Sequence, residues 1–195
     1  MFETLGYEIV KGAISKETSK LLSIEFNLLR DSIYISNNIN LNAVGYDNDA
    51  QVEESFAHYG ALCFESLMVY LHPLMERVTG KKLFPCYSYA RIYYPGATMA
   101  EHTDRPSCQY SATITIDYEG TEPWEIWFED AKGSVKPLYL DIGDVCVYKG
   151  TELRHWRDEF KGTKQIQAFI HFVDADGEYA DYKYDHRQAL GLSKF

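Results

Sequence analysis

The stretch Arg91-Ile92-Tyr93-Tyr94-Pro95-Gly96-Ala97-Thr98-Met99-Ala100-Glu101-His102-Thr103-Asp104 marks the change in the chain from which its fold is read. It starts as an alternating run of aromatic and β-branched residues, turns at Pro95-Gly96, and ends on a polar triplet. Alternation with a period of two is the signature of a strand, and Pro-Gly is a turn signal. In a strand, residues two apart point to the same face, so His102 and Asp104 can aim together while Thr103 points away.

Downstream of residue 83, eight such runs follow, near Pro85 to Tyr94, Thr98 to Thr103, Gln109 to Asp117, Trp124 to Glu129, Lys136 to Asp141, Val145 to Lys149, Glu152 to Arg157 and Lys164 to Val173. Short strands at this density imply an antiparallel double-stranded β-helix, a cupin-like jelly roll whose mouth can hold a ligand. Upstream, up to about residue 82, the pattern is helical. Leu21, Ile24 and Leu28 recur at three and four, as do Phe56, Tyr59 and Cys63. Two helices are expected, the first capped by Ser15, the second bending or ending near Pro73 and closed by Gly80. Between them, Ser36 to Gln51 is rich in Asn and Asp and reads as a long loop able to cover a site. The polar tail after Asp174 is expected to pack loosely outside. The expected organisation is one domain over 1-195, with a helical lead-in (1-82), a jelly-roll core (83-175) and a tail (176-195).

Composition narrows the function classes. The 195 residues are 46% hydrophobic, enough for a sizeable core. Twenty-nine acidic residues against 19 basic ones leave a net charge of −10, which repels phosphate backbones, and Lys81-Lys82 is the only adjacent basic pair. No nucleic-acid partner is expected. The N-terminus lacks a signal-peptide pattern and no apolar run reaches membrane-spanning length, so the reading is a cytoplasmic protein without a membrane partner. Cys63, Cys86, Cys108 and Cys146 are widely spaced with no CxxC pair, and read as reduced, mostly buried thiols.

Two imidazoles and one carboxylate on one face suit iron(II) and leave coordination positions open for an oxo-acid and oxygen. His102 and Asp104 supply two of these ligands and His155 can supply the third. By itself an HxD triplet is common, since six His and 13 Asp give about 0.4 such pairs by chance. The order of features carries more weight: the pair ends an early strand, His155 opens the seventh, and a basic residue, Lys164, starts the eighth.

In that order the sequence resembles the 2-oxoglutarate and iron(II)-dependent dioxygenase superfamily, whose pattern is HxD, a distant His, then Arg or Lys about ten residues later. The stretch ending in His102-Thr103-Asp104 is similar to the NxYxPGxxMxxHxD segment of AlkB-type demethylases, with Arg91 where that family has Asn. Thr163-Lys164-Gln165-Ile166-Gln167-Ala168-Phe169-Ile170-His171-Phe172-Val173-Asp174 is similar to the final core strand of prolyl hydroxylases. The resemblance covers about residues 85 to 175. It implies iron(II), 2-oxoglutarate and O2 as cofactor and cosubstrates, with ascorbate as an aid in vitro. His102, Asp104 and His155 become the metal ligands and catalytic centre.

The resemblance also assigns the cosubstrate's far carboxylate to Lys164, with Arg157 and Arg91 as competitors and Tyr93 pointing the same way as Arg91. Ser111, Thr113 and Thr115 alternate on the third strand and either line the pocket or face solvent. Arg105 could bind a substrate carboxylate, orient Asp104 or form a surface ion pair. Trp156, beside the metal histidine, is the tryptophan best placed to meet substrate, while His58, His72 and His171 read as structural. The implied reaction is hydroxylation of a small molecule, amino acid or peptide. Two other readings stay open: a non-enzymatic cupin-like protein that binds metal or a small acid, and an AlkB-like nucleic-acid demethylase.

Overall fold

The computed structural model describes residues 1–38 and 51–192. The expected loop from Ser36 to Gln51 falls mostly outside the described residues. Among the described residues, ten strands form two antiparallel sheets. The larger has the order β1 (Tyr7–Val10), β8 (Val145–Lys149), β5 (Tyr110–Glu119), β10 (Lys164–Asp174), β3 (Leu83–Tyr93) and β2 (Ser55–Tyr59). The smaller has the order β4 (Met99–His102), β9 (His155–Arg157), β6 (Ile126–Glu129) and β7 (Val135–Leu138).

All eight expected strand runs are present, with ends displaced by a few residues. The lead-in departs from expectation. It contributes α1 (Phe2–Leu5), α2 (Lys16–Ser36) and α3 (Leu62–Thr79), but also strands β1 and β2, which form the two edges of the large sheet. Phe56 and Tyr59 therefore belong to a strand, although their spacing to Cys63 imitates a helix turn. Ser15 caps α2 as expected, its hydroxyl accepting from the Thr18 amide at 3.1 Å. α3 continues through Pro73 and ends at Gly80, whose φ of 67° is left-handed.

The buried face of α2 also differs from the periodic reading. Leu21, Ile24 and Leu28 are exposed, whereas Leu22 and Phe26 are buried. Phe26 meets Phe56 and Phe64 at ring separations of 5.5 and 5.1 Å, and aromatic packing against β2 and α3 decides the helix rotation. α2 and α3 cover one face of the large sheet, where Ile166, Ala168, Ile170 and Phe172 of β10 join their core. Residues of opposite parity face the space between the two sheets, where Tyr93, Met99, Phe128, Tyr148 and Phe169 form a second core.

The tail is bound rather than loose. Residues Ala180–His186 form a kinked 3-10 segment, and the Asp185 side chain is fully buried. Arg105 donates both terminal nitrogens to its carboxylate at 3.0 and 3.1 Å, and Tyr59 donates at 2.8 Å. Arg187 pairs with buried Glu65 at 2.6 Å. Tyr184, Asp185 and His186 carry φ values of 56°, 54° and 64°, a conformation that costs energy outside glycine and is held here by these buried ion pairs. The cysteines are free thiols, with Cys86, Cys108 and Cys146 buried.

Candidate metal centre

His102 ends β4 and His155 opens β9, and the register pairs them across the small sheet. Their rings lie 4.4 Å apart. Asp104 follows β4, and its backbone N–H donates to the Gly150 carbonyl at 2.8 Å, tying it to the end of β8. Its Oδ1 stands 3.7 Å from His102 Nε2 and 3.6 Å from His155 Nε2. The three ligand atoms lie within 4.8 Å of one another, a spacing that fits donors around one ion bound at about 2 Å to each.

Both imidazoles are prepared for a metal. His102 Nδ1 lies 2.8 Å from the Ala100 carbonyl and His155 Nδ1 lies 3.0 Å from the Leu153 carbonyl. A carbonyl oxygen only accepts, so each Nδ1 carries a proton, and it is Nε2 that would be the nitrogen presented to a metal. Burial lowers the His155 pKa, which favours the same neutral form.

Asp104 is oriented from beneath by Ser111, whose hydroxyl lies 3.2 Å from its Oδ2 and 2.8 Å from His171 Nδ1. His171 is buried and packs against Tyr87 with the rings tilted and their centroids 4.4 Å apart, and burial holds its pKa down to about 4. Asp104, Cys108 and His171 form a second group of close ligand atoms. Desolvation pushes the Cys108 thiol up to about 12, so it stays protonated and is a poor ligand beside the first group.

Above the three ligands opens a cavity of about 300 Å³. Tyr59, Tyr87, Tyr89, Phe169 and Met99 provide much of its wall, and Arg91, Arg105 and Gln51 its polar points. Gln51 bridges two of the expected site residues, its amide lying 3.2 Å from His102 Nε2 and its carbonyl accepting from Arg91 at 2.8 Å.

The remaining sequence assignments fare differently. Lys164 lies outside the cavity, on the face of β10 shared with Ile166, and pairs with Glu119 at 2.6 Å. The alternation correctly set Lys164 and His171 on opposite faces, but the inward face is that of His171. Thr113 is buried between the sheets, where its hydroxyl accepts from Gln167 at 2.7 Å, away from the cavity wall. Tyr93 is fully buried, and its hydroxyl has no partner among the described residues. Arg105 lines the cavity, but its fork is taken by Asp185, so its charge is already met inside the protein. Trp156 stacks on Trp127 at 6.1 Å and, lying between His155 and Arg157, points to the other face of the small sheet.

Gly150 and Ser111 were not singled out as ligand supports by sequence reading. A Cβ on Gly150 would collide with the Cys108 carbonyl and with Asp104 Oδ2, so this position must lack a side chain for Asp104 to sit where it does. The only sequence trace of this constraint is a glycine just after a strand, a pattern that most turns share.

No family model matches the sequence, and no curated protein matches it. Solved structures do match in three dimensions. A Pseudomonas putida prolyl-4-hydroxylase superposes with a TM-score of 0.64 at 14% identity, covering 89% of this chain and 95% of that one. HygX from Streptomyces hygroscopicus, solved with nickel and 2-oxoglutarate, gives 0.65 at 11% identity, covering 90% and 85%. The epimerase SnoN, in complex with Fe3+, alpha ketoglutarate and nogalamycin RO, gives 0.68 at 11% identity, covering 100% and 90%. The fold of this chain is that of the 2-oxoglutarate and iron(II)-dependent oxygenases.

Proposed function

We propose that this protein is an iron(II)- and 2-oxoglutarate-dependent oxygenase built on a double-stranded β-helix, acting on a small molecule, amino acid or peptide. The observation that carries the reading is the pair of imidazoles with both Nε2 atoms gathered on one carboxylate oxygen, at the floor of a cavity in this fold. His102, Asp104 and His155 would hold iron(II). Iron(II) with 2-oxoglutarate and O2 supplies an oxidative decarboxylation that yields succinate and carbon dioxide and places one oxygen atom on a substrate C–H bond.

The protein's own part is to bind, orient and exclude water. The Ala100 and Leu153 carbonyls fix the two ring tautomers, and Ser111 and the Gly150 carbonyl fix the carboxylate. Met99, Ile126 and Phe169 give the cavity dry walls close to the ligands, where charge interactions are stronger than in water. Tyr59, Tyr87 and Tyr89 in its wall give it an aromatic lining suited to a substrate of modest size.

Among the alternatives, nucleic-acid demethylation is disfavoured by the net charge of −10. A binding module without turnover differs from the proposal in one measurable product. Metal-free protein supplied with iron(II), ascorbate and 2-oxoglutarate should release succinate slowly in the absence of substrate, and zinc should bind without supporting release. Succinate that stays at the no-protein level with every substrate tried would replace the enzyme reading by the binding module.

A further inference from the structure

Helix α2 has two apolar faces, and the fold uses one of them. Leu22 and Phe26 are buried, and Leu29 and Ile33 pack partly against the same core. Leu21, Ile24, Leu28 and Ile35 stand on the opposite side, between 48% and 71% exposed. The outer face of a surface helix ordinarily carries polar and charged groups. The periodicity of Leu21, Ile24 and Leu28 is therefore real, but nothing among the described residues covers it.

α3 repeats the arrangement. Phe64, Leu67, Met68, Leu71 and Met75 form its buried side, while Leu62, Val69 and Tyr70 are between 56% and 69% exposed. The two helices lie over the same face of the large sheet. They touch through Phe26 and Phe64, and Glu25 of α2 lies against the Cys63 thiol of α3. At these exposures the outward apolar side chains of the two helices leave on the order of 800 Å² in water. That exceeds the largest apolar patch of a typical monomer, about 300–600 Å², and is close to the ~800 Å² that each partner gives to a standard interface.

The pattern of the row points to a second copy of this chain as the partner. Positions 21, 24, 28 and 35 follow the inner rows of a heptad, the spacing by which one helix packs into another of its own kind. Steps of seven also make the row symmetric about Leu28. A copy turned by a two-fold axis sets Leu28 on Leu28 and Leu21 on Ile35, so the surface is self-complementary. Asp31, the charged residue at a remaining inner position, is tied to Arg30 of its own helix at 2.7 Å. The four apolar residues carry no charge, which matters in a chain of net charge −10, whose copies repel each other wherever acidic surfaces meet.

We infer that the outward faces of α2 and α3 form the interface of a two-fold homodimer. The candidate metal ligands and their cavity lie on the other side of the large sheet, so both cavities stay open in the pair.

The test is sedimentation equilibrium of the full chain over about 1 to 100 µM, since the population of a dimer depends on protomer concentration. Wild type should approach twice the 22.5 kDa of one chain. A chain carrying both Leu21→Lys and Leu28→Lys should stay at the single mass, its dissociation constant raised roughly 100-fold or more. Its circular dichroism should be unchanged, because both side chains are already in solvent. Ile35→Lys alone should weaken pairing in the same direction, and it decides the matter if the double variant fails to fold. Val135→Lys charges an exposed apolar residue on the edge strand β7 and should leave the dimer intact. Wild type at the single mass at every concentration overturns the inference, as does a dimer that survives both the double variant and Ile35→Lys. Loss of the dimer in Val135→Lys moves the interface to the edge of the small sheet and overturns it equally. Wild type that stays single but sediments with phosphatidylcholine vesicles, when the double variant does not, would make this face a membrane contact instead.

Discussion

Gln165 stands opposite Tyr93 across the β3–β10 ladder, which places Lys164, one residue earlier, on the face turned away from the metal ligands. Lys164 pairs there with Glu119, whose side chain is half exposed. Ion pairs of this kind contribute little. Lys164→Ala should leave 2-oxoglutarate affinity within about twofold and cost less than about 1 kcal/mol of stability. Parallel ligand titration and urea unfolding check both, and a large loss of affinity without loss of stability would restore Lys164 as the anchor.

Each of His102→Ala, Asp104→Ala and His155→Ala should abolish succinate formation, since each removes one of the three proposed protein ligands. Ser111→Ala leaves the ligands in place but frees Asp104, and should weaken iron binding by about 10- to 100-fold. Anaerobic iron titration with a competing chelator separates the two behaviours. Full turnover in His155→Ala would remove it from the ligand set.

Gly150→Ala places a methyl group against Asp104 and the Cys108 carbonyl. The carboxylate or the turn must move, at a cost of about 1–3 kcal/mol. Weaker iron binding together with a lower thermal midpoint is expected. Unchanged iron affinity would mean that the turn relaxes without disturbing Asp104.

Arg105→Ala removes two charge-assisted bonds from buried Asp185. A loss of about 2–3 kcal/mol is expected, with the segment around Ala180–His186 becoming open to protease. Limited proteolysis followed by mass mapping shows whether cleavage begins there.

His171 carries a pKa of about 4 in the folded protein, against about 6.5 in the unfolded chain. As pH falls from 6.5 towards 4 the unfolded chain takes up the proton first, so stability falls, by roughly 3 kcal/mol across the window. Above pH 6.5 the term vanishes. In metal-free protein, His171→Asn should flatten the stability slope between pH 6.5 and 4 relative to wild type, as measured by urea unfolding at each pH. Identical slopes would show that His171 is protonated in the folded state as readily as in the unfolded one.

The eight strand runs were legible because alternation and turn residues are local, whereas their pairing was not, since β10 pairs with both β3 and β5 and β4 pairs with β9. The HxD spacing and the later His were legible for the same reason, as strand geometry puts residues i and i+2 on one face. Local pattern could not give the direction of each face. Only the β3–β10 register shows that the inward residues of the last strand are Gln165, Gln167, Phe169 and His171, which moves Lys164 outside and brings His171 to the cavity. The rotation of α2, the strand at Ser55–Tyr59 and the burial of Asp185 against Arg105 likewise depend on partners distant in the chain. Gly150 beneath Asp104 and the unmatched donors of Arg157 and Tyr93 are properties of three-dimensional neighbours alone, since sequence records which groups exist and only packing decides which of them are left without a partner.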